Sequence, residues 1–131
     1  MVKFAVMNER KFSWKKRAKS FTYAFAGIGR LLSREHNAWI HCCVAVAVIV
    51  AGLCFGLALW EWVAIAICIG SVLAAEAMNS AVEALADRVS PGYDEAVKHA
   101  KDLAAGAVLL LALAAVAVGL IVFLPKILNL F

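Results

Sequence analysis

The sequence predicts an all-α integral membrane protein, with three transmembrane helices preceded by an amphipathic helix at the membrane surface. Three observations predict it. The 131-residue chain is 65% hydrophobic and only 17% charged, a balance rare in soluble domains. Its apolar residues fall in blocks long enough to cross a hydrocarbon core as helices. Its basic residues gather on one side of those blocks. A chain of this length holds one domain, residues 1–131.

The surface helix is read over residues 12–34. Trp14, Ala18, Phe21, Phe25, Ile28 and Leu32 recur at alternating steps of four and three, which makes one apolar stripe. Lys15, Lys16, Arg17, Lys19, Thr22 and Arg30 fall off that stripe, as they do in a helix lying among lipid headgroups. The first thirty residues are basic and amphipathic rather than a charged tip followed by an apolar core, so no cleavable signal peptide is expected.

Two spans follow directly from composition. Residues 38–59 contain a single polar ring, His41, and residues 103–124 contain no ionisable side chain; each covers roughly 33 Å as a helix. The span over 63–86 is less uniform. Its uncharged stretch from Val63 to Ala75 is only about 18 Å long as a helix, short of a core about 30 Å thick. The crossing therefore takes in Glu76 and Asn79. Pro91 and Gly92 mark the turn that follows.

Charge sets the expected topology. Nine of the thirteen Lys and Arg residues precede His36, three lie between Asp87 and Asp102, and only Lys126 follows the last span. The connection Trp60-Glu61-Trp62 has none. The positive-inside rule puts the amino terminus and the second connection in the cytoplasm. The net charge of +4 is accounted for by topology, and no nucleic-acid surface is inferred from it. Cys42, Cys43, Cys54 and Cys68 lie in apolar runs without metal-ligand spacing and read as small apolar residues.

Chemistry is concentrated in the second span. At about 100° per residue, Glu76, Asn79, Ser80, Glu83 and Asp87 fall within an arc of about 100°, one face of the helix. A carboxylate near the hydrocarbon centre costs on the order of 2.5–3.5 kcal/mol, so cations, protons or a metal must compensate. Lys98, Lys101 and Asp102, at i, i+3 and i+4, can share a face where the third span begins. Carboxylates and lysines together suit a metal–nucleotide site, since Mg²⁺ prefers oxygen ligands and leaves positions for phosphate. The chain has no Walker A sequence and no soluble-kinase loops. An ion path lined by the carboxylates, helix packing through them, and a basic adaptor that binds anionic lipid each explain part of the pattern. A channel leaves Lys101-Asp102 without a use, and an adaptor leaves Glu76 and Glu83 without one.

The run Glu76-Ala77-Met78-Asn79-Ser80-Ala81-Val82-Glu83, followed by Asp87 and by Ala100-Lys101-Asp102, resembles the small bacterial diacylglycerol and undecaprenol kinases. The likeness extends from about Lys15 to Lys126. It implies transfer of phosphate from MgATP to the hydroxyl of a membrane lipid, in the bacterial cytoplasmic membrane, by a homotrimer with sites shared between subunits. Glu76 matches the family's general base, and Asn79 the residue that orients the hydroxyl or Glu76. Glu35 and Glu83 match the carboxylates that hold Mg²⁺. Lys16, Tyr23, Asp87, Tyr93, Lys101 and Asp102 match nucleotide-site positions, with Lys101 neutralising phosphate charge and Asp102 supporting that lysine or the nucleotide.

The pattern departs from the family at Asp94, where many members have a histidine beside the tyrosine; an acid there is a poor neighbour for phosphates, and Lys98 offsets it. His41 and His99 receive no catalytic role, being read as a polar ring within a span and a solvated residue beside a helix start. The segments 104–108 and 119–126 look more like the undecaprenol-kinase branch. That makes the polyisoprenol the expected acceptor, with diacylglycerol second.

Overall fold

The computed structural model describes residues 12–131, and these form four helices in chain order. α1 spans Trp14–Arg34, α2 His36–Phe55, α3 Leu59–Val89 and α4 Glu95–Leu128. The described residues contain no strand. Residues 1–11, including the start of the chain's basic segment, lie outside the description.

α1 begins where Ser13, in extended backbone, accepts the Lys16 amide with its hydroxyl, an N-cap that satisfies one orphan donor of the first turn. Among the described residues its apolar stripe is left largely uncovered: Trp14, Phe21, Phe25 and Ile28 are all exposed. Only Leu31 is buried, where the helix end meets the bundle. That is the pattern of a helix that uses its apolar face on lipid. A single extended residue, Glu35, separates α1 from α2. The indole N–H of Trp39 reaches back across this break to the Leu32 carbonyl and links the two helices.

α2, α3 and α4 are each long and apolar enough to cross a membrane. α2 stops at Phe55, earlier than the expected end at Leu59, because Gly56 takes φ +64° and closes the helix in the left-handed conformation, which glycine adopts without a Cβ penalty. Gly52 is needed for a different reason. A Cβ there would lie 2.8 Å from both Leu57 Cδ1 and Trp62 Cη2, so only hydrogen lets the turn and the start of α3 close against α2.

α3 and α4 both outrun their apolar stretches. At 1.5 Å per residue their 31 and 34 residues reach roughly 46 and 51 Å, well beyond a core of about 30 Å. They pack as a long antiparallel hairpin, tied at each end by an ion pair. At one end Lys101 Nζ meets Asp87 Oδ1 at 2.9 Å. At the other, Lys126 Nζ meets Glu61 Oε2 at 3.1 Å, and the same carboxylate oxygen accepts the Ala58 amide at 2.7 Å. The turn between them is closed by Ser90 Oγ donating to the Gly92 carbonyl and by Asp94 capping α4 through the Val97 amide.

Burial in this bundle runs opposite to that of a soluble domain. The large side chains of α2 and α4 are mostly exposed, while Glu61, Glu76 and Asn79 on α3 are buried. Lipid tails are as apolar as leucine, so nothing drives those leucines and valines inward, whereas a polar group in hydrocarbon gains from a protein partner.

Candidate active site

The row on α3 is graded by depth. Glu76 is 3% exposed and Asn79 8%, Ser80 and Glu83 are half-buried, and Asp87 is exposed. Eleven residues separate Glu76 from Asp87 in sequence, roughly 16 Å of helix axis. The row thus runs from the bundle interior to the polar end of the hairpin, the end where α1 and the α3–α4 turn also lie.

Each member has a different partner. Oε1 of Glu76 lies 3.1 Å from Nε2 of His41 on α2. The Asn79 amide donates to Glu83 Oε1 at 3.4 Å, and Asn79 Oδ1 is buried with no hydrogen-bond partner among the described residues. Asp87 accepts from Lys101. Lys98, one turn before Asp102 on α4, pairs with it at 2.6 Å. The structure therefore gives Asp102 to Lys98 and Asp87 to Lys101, whereas the sequence spacing on α4 allowed all three of Lys98, Lys101 and Asp102 to act together.

The other residues singled out in the sequence are placed less closely. Glu35, the N-cap of α2, is half-buried and its side chain makes no capping bond. Tyr23 is exposed on α1 with Lys19 Nζ 6.0 Å from its ring centroid, and Tyr93 is exposed in the α3–α4 turn. Lys16 is exposed on the first turn of α1. None of these four makes a side-chain hydrogen bond or ion pair to the α3 row among the described residues. Nor do any three His, Cys, Asp or Glu side chains converge there as a metal cluster.

His41, given no catalytic role in the sequence reading, is the residue that meets Glu76. Its signal was present, for it is the single polar ring in an otherwise apolar run, and such a group needs a partner. Which partner depends on how α2 docks on α3, and no pattern along one helix records that.

The fold and site define a membrane-spanning helical bundle with a buried carboxylate at one end of a polar row and a lysine–carboxylate pair at the exposed end. Residues 22–123 match the family of prokaryotic diacylglycerol kinases, and the chain belongs to that family. It is similar to the undecaprenol kinase of Bacillus subtilis, 37% identical over 82% of this chain and 88% of the relative. It is also similar to two diacylglycerol kinases. That of Synechocystis is 41% identical over 85% of this chain and 64% of the relative; that of Sinorhizobium is 37% identical over 71% and 67%. The protein is a lipid kinase, a phosphotransferase with an alcohol group as acceptor. Family membership selects this reading over the ion path and the adaptor.

Proposed function

We propose that the chain transfers the terminal phosphoryl group of ATP to the hydroxyl of a membrane polyisoprenol, giving undecaprenyl phosphate and ADP. The observation that carries this reading is the graded row from buried Glu76 to the exposed Asp87–Lys101 pair. It spans the depth over which a lipid hydroxyl and a nucleotide must meet. Undecaprenol is favoured over diacylglycerol because the relative that this chain covers over 88% of its length is an undecaprenol kinase. The diacylglycerol alternative rests on the 41% identical relative.

In this reading Glu76 takes the proton from the lipid hydroxyl as its oxygen attacks the γ-phosphorus. The new O–P bond forms as the bond to the β-phosphate oxygen breaks, and ADP leaves with that electron pair. Asn79 orients the hydroxyl. Lys101, held at the polar end by Asp87, neutralises phosphate charge, and Asp102 with its partner Lys98 borders the nucleotide. Tyr23, Tyr93 and Lys16 complete the nucleotide site in a homotrimer whose neighbouring chains share sites, which accords with their exposure in the single chain. The amino terminus and the α3–α4 turn face the cytoplasm of a bacterium, across its inner membrane, where ATP is available.

The residues fit Mg²⁺. Glu83 and Glu35 supply carboxylate oxygens, and Asn79 Oδ1, on the residue whose amide meets Glu83, is buried without a partner among the described residues. A site with few protein oxygens suits an ion that is commonly held by one or two carboxylates plus water and phosphate. Bound there, Mg²⁺ would neutralise phosphate charge during transfer. Glu83 and Glu35 would hold it, and the rest of the row needs only to position the two substrates.

The test is phosphate transfer from labelled ATP in mixed micelles to undecaprenol and to diacylglycerol, each with Mg²⁺ and with a chelator. Faster transfer to undecaprenol that stops on chelation is expected. Faster transfer to diacylglycerol would reverse the acceptor assignment, and transfer unaffected by chelation would remove the metal.

A further inference from the structure

We propose that His41 is the positioning residue for Glu76, which it holds through a hydrogen bond from Nε2–H so that the other carboxylate oxygen is left for the lipid hydroxyl. The proposal rests on the reading of Glu76 as the base. It starts from the contact itself: Nε2 of His41 lies 3.1 Å from Oε1 of Glu76, between residues 35 apart in sequence, and the two side chains are 25% and 4% exposed.

Elimination strengthens it. Among the described residues His41 is the side chain that hydrogen-bonds Glu76. The polar neighbour one turn along α3, Asn79, directs its amide to Glu83 instead. α4, packed along the same side of the hairpin, carries no ionisable side chain from 103 to 124. His41 also borders an apolar cleft of about 410 Å³ between α2, α3 and α4, whose other lining residues include Ile40, Val44, Val72 and Leu73. In such surroundings water does not reliably replace a missing donor, and one hydrogen bond has more influence than it would at a surface.

The geometry divides the carboxylate between two tasks. With Oε1 engaged by imidazole, the χ angles of Glu76 are restrained and Oε2 has a defined direction. Positioning of this kind affects the chemical step more than nucleotide binding, because the Asp87–Lys101 end of the row lies roughly three turns of helix away. A neutral imidazole suffices, provided its Nε2 carries the proton.

The experiment compares His41→Leu and His41→Gln with the unaltered protein and with Glu76→Gln, in mixed micelles at saturating lipid, measuring kcat and the KM for ATP. The leucine variant is expected to lose roughly 10- to 100-fold in kcat, the size of one hydrogen bond to a charged group, with KM for ATP within about twofold. Glutamine, whose amide can donate from nearly the same place, is expected to keep kcat within about threefold. Unaltered kcat in His41→Leu overturns the proposal, as does a glutamine variant that falls as far as leucine, and as does a loss confined to KM. If the leucine variant fails to fold, the glutamine variant decides alone, with retained kcat supporting the proposal and lost kcat overturning it. Glu76→Gln separates the two readings. If it is inactive while His41→Leu is normal, only the role of His41 falls; if it turns over normally, the base assignment falls and the role of His41 with it.

Discussion

Nζ of Lys101 on α4 lies 2.9 Å from Oδ1 of Asp87 on α3, so the cation proposed to meet phosphate is held by a carboxylate at the exposed end of the row. Without nucleotide the pair ties the two helices together beside the α3–α4 turn. In the proposed site the same lysine is shared with a nucleotide phosphate. Lys101→Met is therefore expected to raise the KM for ATP and lower kcat together, by tenfold or more in kcat/KM, since a lysine near transferring phosphate stabilises charge in both the bound and the transition state. Steady-state kinetics with ATP varied at fixed lipid would check it; loss in kcat alone would place Lys101 elsewhere in the reaction.

Glu76 and Glu83 should separate functionally, although seven residues and one helix face join them. Glu76→Gln is expected to abolish turnover while leaving MgATP binding intact, and Glu83→Gln to weaken that binding. Equilibrium binding of a non-hydrolysable ATP analogue, measured with and without Mg²⁺, tests both. An analogue bound equally well by Glu83→Gln and the unaltered protein would take Glu83 out of the metal site.

Asn79 offers a finer probe. Its amide serves Glu83, and its carbonyl oxygen is buried without a partner among the described residues. Asn79→Leu removes both groups at similar volume. Because the substitution relieves an unsatisfied acceptor, thermal stability in detergent is expected to hold while turnover falls about tenfold or more. A variant that is unstable but fully active would make the residue structural.

The far end of the hairpin should matter to stability and not to chemistry. Glu61 receives Lys126 and the Ala58 amide, and in the same region Gly52 admits Leu57 and Trp62. Glu61→Gln and Gly52→Val are each expected to lower the melting temperature in detergent by a few degrees or more, the valine through overpacking. The KM for ATP of the surviving folded enzyme should be unchanged. Altered nucleotide kinetics would show that this end communicates with the site.

Much was legible before any tertiary contact was known. The stripe from Trp14 to Leu32 gave the surface helix, and its exposure in the folded chain fits that reading. The shortfall between Val63 and Ala75 required Glu76 to lie within a span, and α3 buries it there. Periodicity put Glu76, Asn79, Glu83 and Asp87 on one face because position around a helix is a local property. Helix ends were harder to read. α2 ends at Phe55 because of the backbone of Gly56, whereas an apolar count runs on to Leu59.

What the sequence alone determined, then, was the all-α membrane class, the face that carries the polar row and the motif that marks a lipid kinase. Tertiary structure decided the pairings: His41 with Glu76, Lys101 with Asp87, Lys98 with Asp102 and Lys126 with Glu61. The physical reason is that a helix's hydrogen bonds and residue spacing are set within the segment, while the partner of a buried charge is set by which helix packs against it and at what register. Residues 35 apart share no periodicity. Only the docking of α2 on α3 brings that imidazole to that carboxylate.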